Sequence, residues 1–187
     1  RISKLILLCK NTTGYKNLSN LITRSYLEGY QKDKALVDIE WLDDQSSSGL
    51  IAISGGYNGF IQNLLLSEKS GAATKQVERL QLIFPEDLFL QIQKLGGNRD
   101  VELLEKTIEI ASLAELPLLA ANNPRFLNQD DYLSLDARVC IDQGDTIDNT
   151  NRFRDYTTEQ YFKTEKEMAD LFSDIPEAVK NTINLAK

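Results

Sequence analysis

The side chains that could do chemistry are unevenly supplied in this chain. Histidine is absent, which removes the commonest general base and the commonest metal ligand together. Cys9 and Cys140 lie far apart and form no C-x-x-C pair. Neither a thiolate zinc site nor a redox pair is expected, and two free thiols in a reducing cytosol is the simple reading. Carboxylate, amide, hydroxyl and guanidinium remain. The densest polar constellation follows the apolar run Leu118-Leu119-Ala120: Ala121, Asn122, Asn123, Pro124, Arg125, Phe126, Leu127 and Asn128. Strand ends of this kind are where α/β proteins build sites, yet this one carries no carboxylate before Asp130. Arg125, Arg138, Arg152 and Arg154 could converge on a phosphate, which guanidinium grips bidentately without a metal. Pairing with the abundant acidic residues is the competing expectation. Asp130, Asp131 and Asp136 could in principle hold a cation, but as helix-start and surface charges they need no such role.

A second strand end, Ser54-Gly55-Gly56-Tyr57-Asn58-Gly59, is glycine-rich. It matches neither G-x-G-x-x-G nor a P-loop, and no Lys-Ser or Lys-Thr follows. Glycines that let a helix pack close are the expected explanation. Ser54 as a hydrolase nucleophile lacks both the flanking glycine pattern of a nucleophile elbow and any histidine base.

These residues must be positioned by a fold. The length, 187 residues, suits one domain with a sizeable core. The formal net charge of −7 argues against nucleic-acid binding by the chain as a whole, although it leaves room for a local basic patch. No apolar run approaches membrane-spanning length, and no signal peptide is visible. The sequence starts Arg1-Ile2-Ser3 and closes inside an apparent helix, so both ends read as cut from something longer. Asn11-Thr12-Thr13 matches a glycosylation sequon without meaning for a cytosolic protein.

Leu5 to Cys9 reads as a buried strand. Asn11 to Thr13 offers caps for a helix to about Gly29, with Tyr15, Leu18, Leu21, Ile22 and Tyr26 on one face. Gln31 to Asp38 reads as a loop, Ser46 to Gly49 as a turn and Leu50 to Ile53 as a buried strand. Helices follow around Phe60 to Leu65 and from about Ser70 to Ile83. Leu88 to Ile92 is a third strand. A helix from about Arg99 to Ala114 carries Val101, Leu104, Ile108 and Ala111 as a stripe, and Pro117 starts a fourth strand. The alternation predicts an α/β fold with a parallel sheet. Asp130 to Cys140 reads as a helix and Ile141 to Tyr156 as irregular. Thr164 and Glu167 form a capping box, and Asp174-Ile175-Pro176 starts a last helix with Val179, Ile183 and Ala186 on one face.

Several stretches together resemble a known family. They are Leu8-Cys9-Lys10-Asn11 with Gly14 to Leu18, Gly49-Leu50-Ile51 with Ser54-Gly55-Gly56, the Asn122 strand end, Met168 to Phe172, and Ile175 to Ala178. In this order they resemble the PHP (polymerase and histidinol phosphatase) domain of bacterial DNA polymerase III α subunits. The resemblance implies a distorted (β/α)7 barrel with mostly parallel strands. Residues 1–187 would be a single partial domain, lacking its first strands and the downstream palm, thumb and fingers.

Metal-binding members of that family hold divalent ions at the barrel mouth for phosphoester hydrolysis. Their third strand reads Glu-Leu-Gln-Asp-His-Gly, where this chain has Gln91-Ile92-Gln93-Lys94-Leu95-Gly96. Their fourth strand end reads Asn-Asp-x-His-Tyr, where this chain has Asn122-Asn123-Pro124-Arg125-Phe126, and a further His falls on Leu135. Leucine cannot ligate, a neutral amide ligates weakly and arginine only donates. The degenerate positions Gln91, Leu95, Asn123, Arg125 and Leu135 therefore imply no bound metal, no cofactor and no catalytic residue, although the downstream polymerase domain of the family needs Mg. The resemblance implies a cytoplasmic, non-catalytic scaffold in DNA replication. Its partners would be the rest of the α subunit, the polymerase III holoenzyme and the proofreading exonuclease ε subunit, with no direct DNA binding by this stretch and no membrane. The alternative is a metal-dependent phosphoesterase or 3′–5′ exonuclease, or an arginine-based phosphate-binding remnant.

Overall fold

The computed structural model describes residues 2–67, 69–149 and 151–187. Arg1, and Thr150 within the stretch expected to be irregular, lie outside the described residues. The chain forms two compact units, one of residues 1–91 and 109–117 and the other of 92–108 and 118–187.

The first unit opens with strand β1 (Ile6–Cys9), followed by helix α1 (Thr12–Leu27). Asn11 caps α1 by accepting from the Gly14 backbone N–H, as its residue type predicts. The stretch expected to be a loop instead forms a hairpin of β2 (Tyr30–Gln31) and β3 (Lys34–Ala35). Its tip is Lys32-Asp33, with φ of 47° and 60°. Two left-handed tip residues match the twist of a two-residue hairpin, but neither is the Asn or Gly that normally announces one. The short helix α2 (Asp44–Ser47) occupies the expected turn and carries its own capping box from Asp43. β4 (Leu50–Ile53), α3 (Phe60–Leu66), α4 (Ser70–Ile83) and β5 (Leu88–Ile92) follow.

The sheet is mixed. β4 and β5 pair in parallel, but β1 runs antiparallel to β4, with Ile6 opposite Ile53 and Cys9 opposite Leu50. β1 is also more exposed than a buried strand: Ile6 and Leu8 keep 39% and 38% of their surface. Its neighbour β4 is the buried one, with Leu50, Ala52 and Ile53 in the core beside Ile61, Leu80 and Leu88. Close backbone packing joins α1 to the turn before β4. A Cβ on Gly14 would run into the Gly49 carbonyl, so a glycine is required there for space.

Helix α5 (Asp100–Leu113) buries Leu103, Thr107, Ile110 and Ala111, while Val101 is 69% exposed. Of the expected stripe, Ala111 is buried, Leu104 packs on the core of the second unit and Ile108 is half-buried, whereas Val101 is exposed. In the second unit, β6 (Leu118–Ala120) is followed by α6 (Tyr132–Gln143), α7 (Glu165–Leu171) and α8 (Pro176–Leu185). The Ala121 N–H donates to the Ile92 carbonyl. Ile92, Ala120, Phe172 and Ala178 form the core here, packed by Leu104, Leu118 and Met168. The Thr164–Glu167 capping box forms as expected. No helix among the described residues is long and apolar enough to cross a membrane.

Candidate functional site

In the first unit the end of β4 is closed by a buried polar link. Ser54 is fully buried, and its Oγ accepts from the Gln91 backbone N–H at 2.9 Å and from Gln62 Nε2 at 2.8 Å. Gln62 Nε2 also reaches the Gln91 carbonyl at 3.3 Å. Ser54 is therefore a fastener between strand ends. A nucleophile needs an adjacent base to take its proton, and amides supply none. The glycine-rich turn packs tightly: a Cβ on Gly59 would collide with the Ser54 carbonyl oxygen and Gln62 Oε1.

In the second unit the polar groups gather after β6. Asn122 donates through Nδ2 to the Tyr161 carbonyl at 2.7 Å, and the Asn123 carbonyl accepts from Gln160 Nε2 at 3.1 Å. The Arg125 guanidinium spans both oxygens of Asp155 at 3.1 and 3.2 Å and lies 5.8 Å from the Tyr156 ring centroid. Lys94, just past β5, donates to the Leu171 carbonyl and to Asp174 at 3.0 and 2.6 Å. It thereby ties the chain to the end of α7.

The centre of this region is a residue expected at the surface. Asp136 on α6 is 4% exposed. Its carboxylate accepts from Arg152 Nη2 and from the Tyr156 hydroxyl, and more distantly from Arg154 Nε at 3.4 Å. Arg152 also donates to the Tyr156 hydroxyl oxygen at 3.0 Å. The Arg152 guanidinium, followed by the Tyr156 hydroxyl, holds the Asp136 carboxyl well below the usual carboxylate range. The same carboxylate raises Arg152. Burial first, and then Asp136, raises Tyr156. Burying charges costs unless they are paired and hydrogen-bonded, and this trio meets that condition almost fully. Arg152 Nε is the one nitrogen of its guanidinium that is buried without a partner among the described residues.

Three of the four candidate arginines thus hold carboxylates. Arg152 and Arg154 share Asp136, and Arg125 takes Asp155. Arg138 stands exposed on α6 with no ion pair among the described residues. Asp131 accepts from Asn128 at the start of the turn before α6, while Asp130 is exposed. The role expected of Asp136 is corrected: it is a buried anion that neutralises arginine. A hint was present in the spacing, since Asp136 lies four residues before Cys140, 3% exposed, on the same helical face.

Comparison with known proteins decides the family. A family model described as the PHP domain matches residues 1–95. The chain belongs to the PHP domain family. It is similar, over 186 residues and its whole length, to DNA polymerase III subunit alpha of Pseudomonas aeruginosa at 37% identity and of Escherichia coli K12 at 36%. The Haemophilus influenzae protein of the same name is 34% identical over 183 residues, 98% of the chain. The chain spans 16% of the length of each of these relatives.

Three of the residues aligned above with metal ligands of the PHP pattern carry groups unsuited to a metal. Leu95 is 7% exposed hydrocarbon, and Leu135 is half-buried hydrocarbon. Arg125 presents a guanidinium engaged with a carboxylate. Such groups offer no lone pair to a cation. Among the described residues no three Asp, Glu or Cys side chains are grouped to hold one.

Proposed function

We propose that residues 1–187 are part of one PHP domain, folded as a distorted (β/α)7 barrel, within a DNA polymerase III α subunit that acts in DNA replication. In this reading the domain catalyses nothing itself. It braces the polymerase and docks the C-terminal segment of the proofreading exonuclease subunit. Family membership and the similarity to α subunits over the whole chain support the assignment. The observation that carries the non-catalytic half is Arg125. It occupies a ligand position of the PHP pattern, and its fixed positive charge is already matched by Asp155. A guanidinium there supplies what a cation would supply to neighbouring anions, without Lewis acidity. Three of the four arginines that could have gripped phosphate are engaged, Arg125 by Asp155 and Arg152 and Arg154 by Asp136, which favours docking over phosphate chemistry.

An activity assay tests this half. The full-length polypeptide, supplied with zinc or manganese, should not hydrolyse phosphomonoesters or 3′ termini. Metal-dependent hydrolysis that survives loss of the downstream polymerase aspartates and vanishes on Arg125→Ala would overturn the reading.

A further inference from the structure

The net charge of the chain conceals a local reversal. Between residues 2 and 37 six basic side chains (Lys4, Lys10, Lys16, Arg24, Lys32, Lys34) stand against two acidic ones (Glu28, Asp33), in a chain of net −7. Two of the six are committed: Lys10 pairs with Asp87 and Arg24 with Glu28. Lys16, Lys32 and Lys34 are exposed and form no ion pair among the described residues.

The same segment carries exposed aromatic rings. Tyr15, Tyr26 and Tyr30 keep 65%, 63% and 54% of their surface. Tyr15 and Tyr26, with Ile22 between them, fall within about 40° of one another at 3.6 residues per turn, and about 16 Å apart along the axis. Tyr30, on β2, stacks with Tyr26 at a centroid distance of 6.3 Å and an interplanar angle of 20°. The hairpin that follows places Lys32 at its tip and Lys34 at the start of β3. Its tip residues are held at positive φ without being glycine, a strain that local sequence does not favour.

We propose that this face of α1 and the β2–β3 hairpin binds single-stranded nucleic acid. Bases stack on Tyr15, Tyr26 and Tyr30, and Lys16, Lys32 and Lys34 neutralise the phosphates. Stacking platforms beside unpaired cations are the two parts that sequence-tolerant single-strand binding requires. A polyanion meets attraction here while the rest of the chain repels it. An acidic protein segment would share the electrostatics. It would normally seat its apolar anchors in a groove, and a concave feature lined by this helix lies on its other side. That cavity, of about 310 Å³, is lined by Asn17, Asn20, Leu21, Arg24 and Trp41, whose α1 members point away from Tyr15 and Tyr26. This proposal stands apart from exonuclease docking and survives its failure.

The test uses the full-length polypeptide that carries this sequence, cross-linked by ultraviolet light to a bromodeoxyuridine-substituted oligothymidylate of about 20 nucleotides. Adduct peptides are then mapped by mass spectrometry. Adducts are expected on Tyr15, Tyr26 or Tyr30. Three phosphate contacts set a slope of about −2 for log yield at these sites against log salt concentration. The triple change Lys16→Glu, Lys32→Glu, Lys34→Glu should cut these adducts at least about tenfold while leaving adducts elsewhere unchanged. The triple Lys→Gln variant should do so more mildly, and Tyr26→Phe should keep what Tyr26→Ala loses. Absence of adducts between residues 11 and 37 while other segments are labelled would overturn the proposal. So would an unchanged yield in both triple variants. Release of an acidic partner subunit by the triple Lys→Glu change, with nucleotide adducts unaltered, would assign the face to protein instead.

Discussion

Replacing Asp136 with alanine isolates the buried trio after β6. The Arg152 side chain is 1% exposed and the Asp136 side chain 5%, so the guanidinium left behind can recruit little water. Removing one partner of a buried ion pair costs about 3–5 kcal/mol, because the remaining charge is uncompensated. The Tyr156 hydroxyl also loses its acceptor, and Arg152 Nε is already without a partner, so the upper half of that range is expected. Arg154 gives the contrast. Its side chain is 31% exposed and 3.4 Å from the carboxylate, so Arg154→Ala should cost under about 1 kcal/mol. Asp136→Leu combined with Arg152→Met should recover most of the loss, since an apolar pair of similar volume often matches a buried ion pair. Denaturant unfolding of each variant, monitored by tryptophan fluorescence and by hydrogen exchange along α6, measures all three. A loss below about 1 kcal/mol for Asp136→Ala would refute the buried-pair reasoning.

Other outcomes follow from the same geometry. The Asp136 carboxyl is depressed in the folded state, chiefly by Arg152. Its stabilising contribution is therefore fully present above the unfolded carboxylate pKa of about 3.9 and drains away as pH falls below it toward the lowered folded value. Acid titration of unfolding stability should show that decline in the wild type and a flatter profile in Asp136→Asn. Gly59→Ala should destabilise by several kcal/mol, on the order of a serious overpacking error, because a Cβ would meet the Ser54 carbonyl and Gln62 Oε1; an unchanged melting temperature would contradict the packing described. Arg125→Ala should cost about 1–2 kcal/mol, combining a bidentate but partly exposed ion pair with an aromatic contact. A cost near zero would remove Arg125 as the fixed cation of this region.

Much of the architecture was legible because it follows from local rules. Asn11 and Thr164 announce their helices by residue type alone, and β4 and β5 stand out as apolar runs between turn signals. The failures have physical causes. Ile6 to Cys9 is as apolar as Leu50 to Ile53, but an apolar run does not say whether neighbours cover it, and β1 proved largely exposed. The α5 stripe was right at Leu104 and Ala111 but wrong at Val101, because Leu103, Leu104, Ile108 and Ile110 permit two nearly equivalent faces, and the buried side includes Thr107. The hairpin after α1 was hidden because Lys32 does not favour positive φ and neither tip residue is glycine or asparagine. Asp136 was assigned to solvent because carboxylates rarely enter a core unpaired, and its partners lie 16 and 20 residues away. Net charge is a sum over the chain and does not report the basic, tyrosine-bearing segment between Lys4 and Lys34.

We have proposed that this PHP domain docks the exonuclease subunit without metal chemistry. Titration calorimetry of the full-length polypeptide with the C-terminal segment of the proofreading exonuclease subunit, run with and without a chelator, tests it most directly. Saturable binding with the same affinity is expected in both conditions. Absence of binding, or binding that requires stoichiometric zinc or manganese bound within residues 1–187, would contradict it.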